Sequence, residues 1–167
     1  MGHVMARADR LPGRVRVLAV LVIVAGVILL VGGVATWFVV QAQLSDERIT
    51  VSDDADRFAG DDVDGPLTAY TEAETIEKHA LEASGGKTYA ELDQDDPTRE
   101  TVMTASFLRA SLFTSVVSFG VAAMAAGLGV VLVLVGWALL SIAGAFAAVS
   151  APGSAGSSRS SGSTEPA

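Results

Sequence analysis

Between Arg16 and Asp46 lie 29 residues without one Asp, Glu, Lys or Arg, and Val17 through Val40 is almost entirely Val, Leu, Ile, Gly and Ala. About 20 such residues cross a hydrocarbon core, so this stretch restricts the chain more than any other feature. A second uncharged stretch runs from Ala110 to Ser158, 49 residues, with its apolar part between Leu112 and Val149. It is longer than one crossing and too short for two with a turn. Because neither Pro nor charge interrupts it before Pro152, it reads as one long helix crossing at Ser115 to Ile142. Composition agrees: half the chain is apolar, 18% is charged and the mean hydropathy is +0.47, high for a soluble domain of 167 residues.

The charges outside these spans fall into three blocks. Residues 1–16 carry Arg7, Arg10, Arg14 and Arg16 against Asp9, a net +3. Residues 41–109 carry 17 acids against six bases, a net −11, and the tail carries only Arg159 and Glu165. Arginines hard against the first span place the N-terminus in the cytoplasm, the acidic segment outside and the tail back inside. The resulting division is a basic cytoplasmic N-terminus (1–16), transmembrane helix 1 (17–41), an acidic extracytoplasmic module (42–109), transmembrane helix 2 (110–149) and a Ser/Gly-rich cytoplasmic tail (150–167). The expected class is an all-α membrane protein: a hairpin of two transmembrane helices with a small, mainly helical outer module, in the plasma membrane. The alternative for the first span is a cleaved signal peptide ending near Val40-Gln41-Ala42, but its apolar run exceeds the usual 7 to 15 residues. In either case the acidic segment is extracytoplasmic.

The formal charge of −8 argues against nucleic acid as a partner, since phosphate binding needs a basic face. Cysteine is absent, which excludes disulfides, thiolate metal sites and cysteine nucleophiles.

Within the module, Ile49-Thr50-Val51 predicts an extended piece, followed by Asp53, Asp54, Asp56, Asp61, Asp62 and Asp64, six aspartates in twelve residues. Such a run is usually a solvated, self-repelling loop. A calcium loop starting at Asp54 fails, because Phe58 stands at the fifth position and Ala59 where glycine is required. What is left to these aspartates is a weak, non-selective divalent site, and no metal or cofactor is expected. Leu67 to Ser84 shows helical period, with Leu67, Tyr70, Ala73, Ile76, Ala80 and Leu81 on one face and Glu72, Thr75, Lys78, His79 and Glu82 on the other. Gly85-Gly86 reads as its C-cap. Asp96-Pro97 reads as the start of a helix that continues into the second crossing and stands about three turns above the membrane. With 14 large apolar residues from Asp46 to Leu108 the module is marginal alone, so it should lean on that helix, the lipid surface or a second copy.

Catalytic patterns are thin. Gly86-Lys87-Thr88 resembles the end of a phosphate loop, yet Leu81 stands where that loop needs glycine. His79 has no second histidine on its side of the membrane, and no Gly-x-Ser-x-Gly occurs. No catalytic residue is assigned.

Small residues repeat every seven positions in both spans: Ala19, Gly26 and Gly33 in the first; Ser115, Ala122, Gly129, Gly136 and Ala143 in the second. In lipid, close backbone approach is what holds helices together, and a period of seven keeps one face toward a neighbour in a left-handed pair. Either the first helix of the same chain or a second copy could supply that neighbour. The competing explanation is chance in helices rich in Ala and Gly.

The strings FAGDDVDGPLTAY, KHALEASGGKTYAELDQDD and ASFLRASLFTSVVSFGVAAMAAGLGV resemble an uncharacterised family of small two-helix membrane proteins of high-GC Gram-positive bacteria, over about Arg10 to Leu140. The resemblance singles out Gly65 to Tyr70, Lys78 to Ala80, Gly85 to Tyr89 and Ser106 to Arg109, and implies no reaction. Some members carry the label aromatic ring-opening dioxygenase. Iron of that kind needs two histidines and a carboxylate on one face, while His3 and His79 fall on opposite sides of the expected bilayer. The expected function is that of a non-enzymatic two-pass protein whose outer module serves protein or cell-envelope contact, with the bilayer, a second copy or another membrane or envelope protein as partners. The alternative is a sensor whose module binds a small ligand or divalent cation.

Overall fold

The computed structural model describes residues 11–150. It is helical throughout, with α1 at Leu11–Asp46, α2 at Pro66–Ala83 and α3 at Arg99–Ser150. A single 3-10 turn, Tyr89–Glu91, lies between α2 and α3. Among the described residues there is no β-strand, only one antiparallel bridge between Thr50 and Asp62. Arg7, Arg10, His3 and the tail beyond Ser150 lie outside the described residues.

Helices α1 and α3 are both long and apolar enough to cross a membrane, over Gly13–Asp46 and Arg99–Ala145. Only 17% and 11% of their most apolar windows are buried, which separates them from the core helices of a soluble protein. They run antiparallel in contact. Gly33 faces Ala122 and Ala126, Gly26 faces Gly129 and Val133, and Gly136 faces Ala19 and Ile23. Both helices outlast their uncharged spans, so α1 ends inside the segment read as the outer module and α3 begins there.

Helix α2 starts where Pro66 fixes the first helical φ and Thr68 Oγ1 accepts the Gly65 N–H at 3.2 Å. It ends in a Schellman motif. The Gly86 N–H donates to Leu81 O at 2.7 Å and the Gly85 N–H to Glu82 O at 3.3 Å, with φ of +86° and +65° at the two glycines. Gly86-Lys87-Thr88 is therefore the exit of a helix. Helix α3 begins two residues after the expected start: Asp96 accepts the Thr98 N–H at 2.8 Å and its hydroxyl at 2.6 Å, closing a turn before Arg99.

One apolar cluster joins all three helices and the loop between α1 and α2. Leu44 of α1, Val51 and Val63 of the loop, Ala69 and Ala73 of α2, and Leu112 and Phe119 of α3 form it, with Trp37 and Val40 against its edge. The segment between the spans thus takes its core from the ends of the long helices, as its scarcity of large apolar residues requires.

The face of α2 differs from the sequence expectation. Glu72 and Thr75, placed on the polar side, are buried at 6% exposure each, whereas Leu67 is 66% and Tyr70 42% exposed. The physical reason is that Ala69 and Ala73 let α2 approach closely, and Glu72 turns inward to satisfy groups of the preceding loop.

Candidate functional site

The aspartate-rich segment is closed on itself. Val51 N–H donates to Asp61 O at 2.9 Å, Val63 N–H to Ile49 O at 2.8 Å and Gly60 N–H to Val51 O at 2.9 Å. Three residues between α1 and α2 take left-handed backbone, Arg48 at φ +51°, Phe58 at φ +57° and Gly60 at φ +78°. A phenylalanine in that region is uncommon and costs energy that the loop contacts must offset.

Two ties hold this loop to α2. The Glu72 carboxylate accepts the Ser52 N–H at 2.7 Å and the Ser52 hydroxyl at 3.1 Å, and both groups lie partly out of water. Further along, Asp54 Oδ2 lies 2.8 Å from His79 Nε2 and 3.2 Å from Lys78 Nζ. The hydrogen bond from His79, then that from Lys78, hold the Asp54 carboxyl below its ordinary pKa, while Asp54 raises that of Lys78. His79 is thus the partner of one aspartate, not the isolated polar-face residue the sequence implied. No local pattern could have shown this pairing, since 25 residues separate the two.

The other aspartates, Asp53, Asp56, Asp61, Asp62 and Asp64, are exposed. Among the described residues no three His, Asp or Glu side chains converge to hold a metal ion. The structure therefore does not bring the six aspartates together as a ligand set.

Beside the loop is an open cleft of about 490 Å³ lined by Asp54, Arg57, Phe58, Leu67, Tyr70 and Lys78, among others. Its walls combine apolar rings with both signs of charge. Below it, the Tyr70 ring meets Phe113 edge-on, with centroids 5.7 Å apart, and the Arg109 guanidinium lies 5.2 Å from the Phe113 centroid. Arg109 Nη2 also pairs with Glu77 at 2.6 Å, so α2 and α3 are joined by an ion pair resting on an aromatic ring. At the far end of the module Arg99 donates to the carbonyls of Leu92 and Tyr89 and covers the Tyr89 ring at 4.1 Å.

The small residues of the two long helices occupy the seam between them. Ala19, Gly26 and Gly33 are buried in α1, where the only other buried residue among those described is Leu44 of the apolar cluster, and Ala122, Gly129, Gly136 and Ala143 are buried in α3, with Ser115 half-buried. An added Cβ at Gly129 would stand 2.5 Å from Leu30 N, and one at Gly33 2.6 Å from Ala122 O. Their neighbours Gly32 and Gly127 face open space.

No family model matches the chain, and neither a curated protein nor a solved structure is significantly similar to it.

Proposed function

We propose that the chain is a non-enzymatic two-pass plasma-membrane protein whose acidic module, held outside the cytoplasm, contacts a membrane or envelope protein. One observation carries the membrane part. Around the α1–α3 pair the glycines and alanines of the seven-residue repeat face inward and large aliphatic side chains face out, with Ile28 65% and Val117 63% exposed. Water penalises that arrangement, because exposed apolar patches on soluble monomers seldom exceed a few hundred Å². Lipid favours it, since there only close packing brings helices together.

The two tryptophans support the same placement. Gly136 packs on Ile23 and Ala19, so Trp137 shares a level with residues 19–23 of α1, while Trp37 meets Phe119 with ring centroids 4.7 Å apart. Along α1 these two levels are separated by roughly 24 Å at 1.5 Å per residue. That spacing suits aromatic residues at the two faces of a bilayer core. Arg14 and Arg16 sit beyond one level and, with Arg7 and Arg10 preceding them in the sequence, support a cytoplasmic N-terminus; Asp46 and the acidic segment lie beyond the other.

The contact role draws on the segment's form: an exposed, acidic surface tied to the long-helix pair through one shared apolar cluster. The alternative, a sensor, draws on the mixed-charge cleft beside Phe58 and Tyr70. Thermal unfolding of the full chain in detergent, with calcium and with soluble wall fragments, separates the two. No shift at sub-millimolar ligand is expected for the contact role, and a rise of several degrees would favour the sensor.

A further inference from the structure

Leu67 is the most exposed large apolar side chain among the described residues outside α1 and α3, and Pro66, Tyr70 and Phe58 lie around it. Its height above the long-helix pair can be read from α3. Phe113 is six residues before Phe119, about 9 Å along the helix, and Tyr70 rests on the Phe113 ring. Helix α2 runs opposite to α3, since Glu77 meets Arg109 and Ala83 shares a groove with Pro97 and Glu100. Moving from Tyr70 toward the start of α2 therefore descends, and Leu67 lies about 5 Å above the Trp37–Phe119 pair. The headgroup region of a bilayer is about 5–8 Å deep on each side.

We infer that the first turn of α2, Pro66 to Tyr70, is a membrane-contact edge that inserts Leu67 and the Tyr70 ring into the headgroup layer of the leaflet facing the module. This rests on the bilayer placement proposed above. The occupant is lipid because the edge continues, at the right height, the exposed apolar surface formed by Val117 and Val121 of α3. Tyrosine suits such a layer, with its ring in the apolar part and its hydroxyl toward water. The contact also explains why Leu67 and Tyr70, read from periodicity as part of the apolar face, are turned away from the protein core while Ala73 of that face is buried in it. It makes the module a platform fixed at both α2 and the helix ends, so the aspartate loop keeps one height above the membrane.

The test places an environment-sensitive fluorophore on single cysteines, Leu67→Cys, Tyr70→Cys, Ala83→Cys and Val130→Cys, in the full chain in phosphatidylcholine nanodiscs. Quenching is measured with lipid carrying a nitroxide at the top of the acyl chain, with lipid labelled near the chain end, and with a water-soluble nitroxide. The inference expects probes at 67 and 70 to lose most of their emission to the shallow lipid nitroxide. The probe at 83 should respond only to the soluble quencher and the probe at 130 to the deep label. Leu67 is exposed, so labelling it leaves the core intact. A probe at 67 that behaves like that at 83, while 130 is quenched from within the bilayer, overturns the inference and leaves the membrane placement standing. A probe at 67 shielded from both lipid and soluble quenchers also overturns it, because a second copy of the chain then covers the edge. An unquenched probe at 130 overturns the membrane placement and this inference with it.

Discussion

Gly32 and Gly33 are adjacent in α1 and have opposite surroundings. A Cβ at Gly33 falls 2.6 Å from Ala122 O and from Ala126 N, whereas one at Gly32 meets nothing within 4 Å. Ordinary contact begins at 3.4 Å, so Gly33→Ala must separate the helices there by about 0.8 Å. Both obstructing atoms are backbone and cannot rotate away. Overpacking of this kind costs about 1–3 kcal/mol. Gly32→Ala meets no atom and removes a poor helix former, a gain of about 1 kcal/mol. That gain is common to both variants, so they should differ by the overpacking cost alone, about 1–3 kcal/mol, roughly fivefold or more in the unfolding equilibrium. Denaturant titration in detergent micelles, followed by the emission of Trp37 against Phe119, reads this difference. The same contrast recurs in α3, where Gly127 is open and Gly129 is closed by Leu30 N and Gly26 O. Leucine at Gly129 or Gly136 should wedge the pair further, while leucine at exposed Val131 should not. Equal stability of the Gly32 and Gly33 variants, or the reverse order, would refute the idea that this seam holds the helices together.

Three further outcomes follow from the module. Glu72→Ala removes the acceptor for both Ser52 donors, at a cost of about 1.5–3 kcal/mol for a charged partner; trypsin cleavage after exposed Arg57 should accelerate, and an unchanged rate would show the tie to be idle. Because the folded-state pKa of Asp54 is depressed, its tie to His79 and Lys78 is complete above the ordinary carboxylate value of 3.8 and is lost as pH falls below it. Amide exchange of residues 52–60 should then rise at acid pH in the native chain but show no such step in Asp54→Asn. Gly86→Ala, at φ +86°, should destabilise α2 by about 1–2 kcal/mol in thermal unfolding, whereas Gly65→Ala, in open space at φ −145°, should be near neutral.

Charge and hydropathy were enough to see the two long apolar helices, because charge is excluded from lipid over a length set by the bilayer. The cap at Gly85-Gly86 was equally legible, since it depends on residues within one turn. The seven-residue spacing from Ala19 to Gly33 could be counted in the sequence, but whether another copy or α3 faced it could not. Leu67 and Tyr70 mark where periodicity stops being informative. It finds an apolar face of α2 without saying whether protein or lipid lies against it. Glu72 shows the converse: its burial is decided by Ser52, twenty residues away, and no local pattern encodes that donor. A separation of 25 residues likewise hid the pairing of Asp54 with His79.

In the proposed arrangement α1 and α3 cross a membrane in opposite directions with the acidic module outside the cytoplasm. Paired reporters, one active only in the cytoplasm and one only outside it, test this most directly when fused after Ala42, at Gly85 and after Ser154. The account predicts outside activity at the first two positions and cytoplasmic activity at the third, as the arginines beside α1 require. Cytoplasmic activity from the Gly85 fusion would contradict it.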